Sequence, residues 1–285
     1  MTLSRDGFLS TDINALVDEA MKAFCPNQVA LVERLNRYAI AVLAVPRDIQ
    51  QRDADLFAVA LLARTVQDFA GAVLLAARGL RAQSRAMVRS TFETALYCRA
   101  AALDLVLSQG ARIKPKKGES PTTRFVDAFE GGHQRFRGQV AAEIRDMPEV
   151  SAETEERLGA LLDEIGTPGQ HQDIDLRGLA EDLDLSNLYT IVYRSLSQDA
   201  HPSATSLEHH VAVNAERKIT GIHIGPDYLQ FCDTLVLAAC SLLVALEGFV
   251  DHFGTEQERR ELGHLVHAYG ELANSSPDCT TEPSA

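Results

Sequence analysis

The longest apolar run in the chain extends from Thr234 to Leu246, between Asp233 and Glu247. It is well short of the roughly 20 residues that a helix needs to span a bilayer. A helix that is apolar on all sides must instead be covered by other elements of the same fold. The run therefore predicts a helix, about Asp227 to Phe253, at the centre of a bundle rather than in a membrane.

Apolar residues recur at helical spacing through most of the first hundred positions. Proline and glycine residues mark several of the predicted helix ends. A hydrophobic fraction of 46% is typical of a soluble globular chain. Besides the central helix, the predicted helices cover about Asp12 to Phe24, Pro26 to Val45, Asp53 to Arg78, Arg81 to Leu107, Thr122 to Ile144, Ala152 to Ile165, Leu176 to Leu185, Asn187 to Ala200 and Glu256 to Tyr269.

One pair of segments, His210 to Asn214 and Ile219 to Ile224, alternates apolar and polar residues around a short polar turn. This pattern predicts a β-hairpin. The expected fold is mainly all-α, a multi-helix bundle with a small β-hairpin near residues 210–224. We expect one helical domain over residues 1–270, with an exposed loop at about 110–121, and a disordered tail over 271–285.

The five cysteines are odd in number, widely spaced and free of any C-x-x-C pair. Neither a disulfide framework nor a zinc knuckle is indicated. We expect four of them to be small buried hydrophobes and Cys279 to lie in the polar tail. The first twelve residues lack the apolar segment of a secretory signal, so a cytoplasmic location is expected.

The formal net charge of −13 argues against a broadly basic nucleic-acid surface. The acidic excess is local, because residues 143–185 hold 13 acidic and 3 basic residues. Residues 111–124 hold 5 basic residues and 1 acidic residue. The charge therefore does not exclude a small, local nucleic-acid site.

Charged residues interrupt the apolar faces of two neighbouring helices. Arg64 and Asp68 do so in the third helix, and Arg89 and Glu93 in the fourth. Facing each other across a helical hairpin, these four would form one buried polar network, since buried charges need partners. Two interpretations follow: an ion-pair network that fixes packing, or a pocket into which Arg89 and Glu93 reach.

The segment Tyr189 to Leu207 is the most informative for chemistry. Arg194, Ser197 and His201 share a helical face, and Pro202 ends the helix at about His201. His201 could then move a proton while Arg194 stabilises negative charge on phosphorus, as phosphodiester chemistry requires. Alternatively, His201 caps the helix by hydrogen-bonding a neighbouring turn.

A metal site is a further option, because Glu208, His209 and His210 closely follow His201. Adjacent residues point to different faces, so at most two of these could share an ion with His201, with Glu93 as a further candidate ligand. We expect no metal and no cofactor.

Two blocks carry a family resemblance. AMVRSTFETALYCRAA at 86–101, with Arg89 and Glu93, resembles the R-x-x-x-E helix of a bacterial family known as domain of unknown function 5677. LRGLAEDLDLSNLYTIVYRSLSQDAHPSATSL at 176–207 is similar to its Y-R-x-(L/Y)-S-x-x-x-H-(P/G)-S signature. The matching positions are Tyr193, Arg194, Ser197, His201 and Ser203.

The Arg194 to His201 spacing also resembles the R-x(4–6)-H motif of HEPN (higher eukaryotes and prokaryotes nucleotide-binding) domains. These are all-α, and many are metal-independent ribonucleases whose Arg and His meet a second copy across a dimer interface. This resemblance implies a homodimeric endoribonuclease of toxin or phage-defence type. Arg194 and His201 would be catalytic, supported by Ser197, Asp199 and Tyr193, with RNA as substrate.

The competing hypothesis is a non-catalytic helical domain that binds a protein partner or a small ligand. The Arg89/Glu93 and Arg194/His201 groups would then form one structural polar core. The sequence leaves open which hypothesis holds, and so whether the chain is an enzyme.

Overall fold

The computed structural model describes residues 8, 10–11, 13–47, 52–107, 123–145, 151–165, 174–200, 210–216 and 218–274. Within them the chain is mainly helical, which confirms the predicted fold class. The helices are α1 (Ile13–Ala23), α2 (Pro26–Ala44), α3 (Asp53–Ala77), α4 (Arg81–Ala102), α5 (Phe125–Arg145), α6 (Ala152–Ile165), α7 (Leu176–Asp182), α8 (Ser186–Leu188), α9 (Ser195–Ala200), α10 (Phe231–Phe253) and α11 (Glu256–Asn274).

A π-helical turn, Tyr189–Arg194, joins α8 to α9. Together these three pieces form one continuous helical segment, Ser186–Ala200, which we name the site helix. A π-turn places one extra residue in a helical turn and is frequent at functional sites.

The predicted β-hairpin is present as an antiparallel pair, β3 (Val211–Val213) and β4 (Ile219–Ile222). A second antiparallel pair, β1 (Val106–Leu107) and β2 (Thr123–Arg124), was not predicted. Each of its strands has two residues, too few to show an alternating pattern. The predicted loop at 110–121 lies outside the described residues.

The centre of the bundle consists of α3, α4 and α10, as the apolar run in α10 predicts. Phe69, Phe92, Leu242 and Phe249 are fully buried between them. Gly79 makes the turn from α3 to α4 with φ of +69°, and Leu80 N–H donates to the Leu75 carbonyl. This left-handed glycine and back-bonded turn form a Schellman motif, which reverses the chain so that α3 and α4 pack antiparallel.

Three helix ends differ from the predicted ends by several residues. Asp104, Asp184 and Gln230 adopt left-handed φ values of 45°, 58° and 62°. Asp104 and Asp184 stop α4 and α7 before Leu107 and Leu185, and Gln230 delays the start of α10 from Asp227 to Phe231. Non-glycine residues rarely adopt this conformation, so sequence patterns do not mark it. The last helix, α11, continues beyond its predicted end at Tyr269 to Asn274.

Two helices, α3 and α10, are long and apolar enough to cross a membrane by length and composition. The most apolar 18-residue stretch of α10 is 78% buried inside the fold, and the corresponding stretch of α3 is 44% buried. The high burial of α10 is what a core helix of a bundle shows, because neighbouring helices cover it.

Cys25 and Cys232 form a disulfide, with their Cα atoms 5.7 Å apart. The expectation that these two are unbonded buried hydrophobes is therefore wrong. It is confirmed for Cys98 and Cys240, which are buried and free, whereas Cys279 lies outside the described residues. A pairing across 207 residues of sequence is decided by the tertiary fold and cannot be read from spacing.

Candidate functional site

A row of polar side chains lies along α4, and its first two members, Arg85 and Arg89, contact the site helix. Arg85, Arg89, Glu93 and Tyr97 follow one another at intervals of four residues, so they lie along one face of α4. The site helix packs against α4. The two helices thus meet partly through polar groups, while Val192 and Leu196 of the site helix are buried in the apolar core.

Arg89 occupies the middle of this row. Its Nη2 donates a short hydrogen bond to the hydroxyl oxygen of Tyr193, and its Nε donates to Ser197 Oγ at 3.3 Å. The guanidinium carbon also lies 4.2 Å from the centre of the Tyr193 ring, a cation–π contact. Tyr193 in turn stacks on Tyr189, with ring centroids 5.1 Å apart. Arg89 is therefore held by an aromatic face and two hydroxyl oxygens.

Arg85 of α4 and Asp199 of the site helix form a largely buried ion pair. Arg85 Nε donates to Asp199 Oδ2 at 2.8 Å. Their side chains are only 10% and 13% exposed. A charge so shielded from water needs its partner, so this pair anchors the C-terminal end of the site helix on α4.

Glu93 accepts a hydrogen bond from the Tyr97 hydroxyl at 3.3 Å. Burial raises the pKa of Tyr193, and the nearby Glu93 carboxylate raises it further. Both effects disfavour a phenolate. Tyr193 therefore stays neutral, and its oxygen accepts the hydrogen bond from Arg89.

Hydroxyl side chains in and just after the π-turn donate hydrogen bonds to backbone carbonyl groups of the site helix. Ser197 Oγ donates to the Tyr193 carbonyl at 2.6 Å, and Thr190 Oγ1 donates to the Ser186 carbonyl at 3.1 Å. Ser195 Oγ donates to the Ile191 carbonyl. Such back-bonds satisfy carbonyl groups where helical geometry is irregular. An ordinary helix is predicted here from the sequence, and the π-turn is missed. The frequent Ser and Thr residues of this segment were the signal for it.

The residues proposed for catalysis differ in their exposure to solvent. Tyr193 and Ser197 are half-buried against α4, whereas Arg194 is exposed. His201 lies outside the described residues, as do Ser203, Glu208 and His209. Among the described residues, no group of three or more His, Cys, Asp or Glu side chains is placed to hold a metal ion.

The four charged residues of the α3–α4 hairpin divide into two groups. Arg64 Nε donates to both Asp68 carboxylate oxygens, at 2.9 and 3.0 Å, within α3. Asp68 also accepts a hydrogen bond of 3.4 Å from Ser90 of α4. Arg89 and Glu93 instead contact Tyr193 and Tyr97. One face of α4 thus contacts α3 through Ser90, and another face contacts the site helix through Arg89.

A cavity of about 1050 Å³ lies beside Asp199, near the Arg85 end of the polar row. Its walls come from the α1–α2 junction, the start of α4, and the segment that leads into α10. Phe24, Tyr228 and Phe231 pack against one another in the apolar wall, with ring centroids 5.4 to 6.4 Å apart. No sequence pattern indicated this cavity, because its walls are far apart along the chain.

Arg81 bridges the opposite sides of the cavity rim. It donates to Asp227 at 3.3 Å and to the Gln230 side chain at 2.9 Å. Asp227 N–H also donates to the Gly79 carbonyl at 2.9 Å. The start of α4 and the segment before α10 are thereby held together where they line the cavity.

Comparison with protein families matched residues 55–219 to the family of unknown function DUF5677. No curated protein and no solved structure matches the chain at a significant level. The matched span contains the polar row of α4 and the whole site helix, and it includes both sequence blocks, 86–101 and 176–207, that carry the family resemblance. Because the match covers more than half of its 285 residues, the chain belongs to the family of unknown function DUF5677.

Proposed function

We propose that this chain is a non-catalytic helical binding domain that takes a small organic molecule into the cavity beside Asp199. The observation that carries this proposal is the cavity itself, of about 1050 Å³, at the end of the polar row. Ligand pockets in proteins have volumes of about 300–1,000 Å³ and combine apolar walls with a few polar groups. This cavity has that size and that composition.

The contacts of the polar row support a structural role for it. Arg89 is engaged by Tyr193 and Ser197, and Arg85 by Asp199. Groups that hold two helices together cannot leave those partners to act on a substrate without loosening the packing. The row therefore serves to position the site helix, and with it the Asp199 wall of the cavity.

The lining favours a ligand with a flat apolar part and a few hydrogen-bonding groups. The aromatic cluster of Phe24, Tyr228 and Phe231 offers a surface for the apolar part. Asp199, Gln230 and His223 offer polar atoms on the remaining walls.

Filling the cavity tests this proposal. Ala82 lines the cavity at the start of α4, so Ala82→Phe should weaken binding of the apolar dye 1-anilinonaphthalene-8-sulfonate at least tenfold, about 1.4 kcal/mol. Dye fluorescence in a titration measures this. Ala60→Phe, on the exposed face of α3, is the control and should bind like the parent. Equal binding by both variants, with unchanged melting, would overturn the proposal.

A ribonuclease is the second candidate, favoured by the exposure of Arg194. An exposed guanidinium at the end of the π-turn is accessible to a phosphodiester, unlike Arg85 and Arg89. In this proposal His201 moves the proton, Arg194 stabilises charge on phosphorus, and two copies pair as a homodimer in the cytoplasm.

Nuclease activity is tested with Arg194→Ala and His201→Ala. Each should reduce cleavage of a labelled RNA at least about a hundredfold, as loss of a general acid–base or charge-stabilising group does, while melting like the parent. Arg137→Ala, at another exposed arginine, should cleave normally. Light scattering reports whether the protein is a dimer. A parent protein that leaves RNA intact would refute the nuclease, whatever the variants do.

A further inference from the structure

We propose that Cys25 and Cys232 are a reversible thiol–disulfide couple that exchanges with small disulfides entering through the cavity. The inference is independent of any ligand of the cavity and of any nuclease activity. It rests on the placement of the two cysteines, on the surroundings of their sulfur atoms, and on a contrast with the two other cysteines that the structure describes.

The backbone already holds the two cysteines at bonding distance. Cys25 precedes Pro26 at the start of α2, and Cys232 is the second residue of α10. Their Cα atoms are 5.7 Å apart, within the range of protein disulfides. Both helices are anchored in the core, so the two sulfur atoms meet again after each reduction without a search through other conformations.

The surroundings favour reactive thiolates when the bond is reduced. Both cysteines lie at the N-terminus of a long helix, where partial positive charge stabilises a thiolate. Neither helix start has a hydrogen-bonded side-chain cap; α2 has no acidic residue in its first turn, whereas Asp233 in the first turn of α10 offsets part of this charge at Cys232, so the effect is stronger at Cys25. A thiolate is the attacking species in thiol–disulfide exchange, so the reduced pair is set for reaction.

Cys25 and Cys232 differ from the other described cysteines in that dissolved molecules can reach them. Cys25 and Cys232 both line the cavity, and Cys25 is partly exposed. Cys98 and Cys240 are buried in the core, and burial raises the pKa of both thiols. They therefore stay protonated and out of reach of a dissolved disulfide, and serve as internal controls.

The exchange consumes one small disulfide for each protein disulfide formed. The Cys25 thiolate, the more exposed of the two, attacks one sulfur of the small disulfide; a Cys25–sulfur bond forms, and the first small thiolate leaves. The Cys232 thiolate then attacks the Cys25 sulfur, which releases the second small thiolate. The two leaving thiolates take up the two protons from the cysteines. The protein dithiol is oxidised by two electrons, and the small disulfide is reduced to two thiols.

Equilibration of the folded, full-length protein in buffers of reduced and oxidised glutathione tests the couple. The variant Cys279→Ser removes the tail cysteine, and mass spectrometry after alkylation counts the free thiols. We expect a reversible transition in which two thiols disappear and a Cys25–Cys232 linked peptide appears. A bond that reduced glutathione cannot open in the folded protein, or thiols that oxidised glutathione leaves unchanged, would overturn the proposal.

One single variant and one labelling experiment test the order of attack. Cys232→Ser should stop at a mixed disulfide between Cys25 and glutathione, visible as the added mass of one glutathione. In the reduced parent, iodoacetamide should label Cys25 at least about tenfold faster than Cys98 or Cys240, since thiolate character and exposure set the rate. Melting curves confirm that each variant is folded. Equal labelling rates for Cys25, Cys98 and Cys240 in a folded protein would contradict the assignment.

Discussion

Asp199→Ala should destabilise the protein by about 3 kcal/mol, because it leaves the charge of Arg85 without its partner inside the fold. The ion pair is 2.8 Å long, and both side chains are largely shielded from water. Loss of one member of a buried pair costs about 3–5 kcal/mol, and the remaining exposure of this pair places it at the lower end of that range. Urea unfolding followed by circular dichroism measures the effect.

Two further variants separate charge burial from a general sensitivity of the region. In Arg85→Met/Asp199→Leu both charges are replaced by apolar side chains, so most of the lost stability should return. Glu181→Ala breaks the exposed pair between Arg177 and Glu181, which has a similar length of 2.9 Å, and should cost less than about 1 kcal/mol. If Asp199→Ala cost no more than Glu181→Ala, Arg85 would have to reach water, and the anchoring role of the pair would be refuted.

Gly248→Ala should cost about 2 kcal/mol, although alanine ordinarily favours a helix. Gly248 lies in α10 where α4 crosses it, and a Cβ there would come within 2.9 Å of the Arg99 Cα and 2.6 Å of its Cγ. The two helices would have to move apart, and such overpacking of a core costs about 1–3 kcal/mol. The change in urea midpoint at constant slope measures the loss.

Gly263→Ala in α11 is the matched control, since a Cβ at Gly263 meets no described atom within 4 Å. The same substitution there should stabilise the protein by about 0.5–1 kcal/mol, the ordinary preference for alanine over glycine in a helix. The two variants are thus expected to change stability in opposite directions. A gain of stability at Gly248 would mean that α4 and α10 do not approach as closely as Arg99 and Gly248 indicate.

The helices were predictable because their signal is local. Apolar residues three and four apart in α2, α3 and α4 reflect the turn of each helix, and Pro26 and Gly79 mark ends by their own backbone preferences. The ends set by Asp104, Asp184 and Gln230 were missed because the left-handed conformation there is imposed on residues that seldom adopt it.

The candidate site was predictable only one helix at a time. The spacing of Arg89 and Glu93 placed them on one face of α4, and the spacing of Arg194 and Ser197 placed those two on one face of the site helix, although Arg194 is exposed and Ser197 is half-buried. Which faces would meet depended on how α3, α10 and the site helix share the surface of α4. For this reason Arg89 contacts Tyr193 and Ser197, while Asp68 reaches α4 through Ser90.

By itself, the sequence determined a mainly helical bundle around α10, a β-hairpin, the two family blocks and the residues that carry charge. These follow from interactions between residues a few positions apart, which a linear pattern records. The tertiary structure alone decided the Arg85–Asp199 pair, the cavity and the Cys25–Cys232 bond. Each joins groups more than a hundred positions apart, and such contacts arise only when the packing of whole helices brings distant faces together.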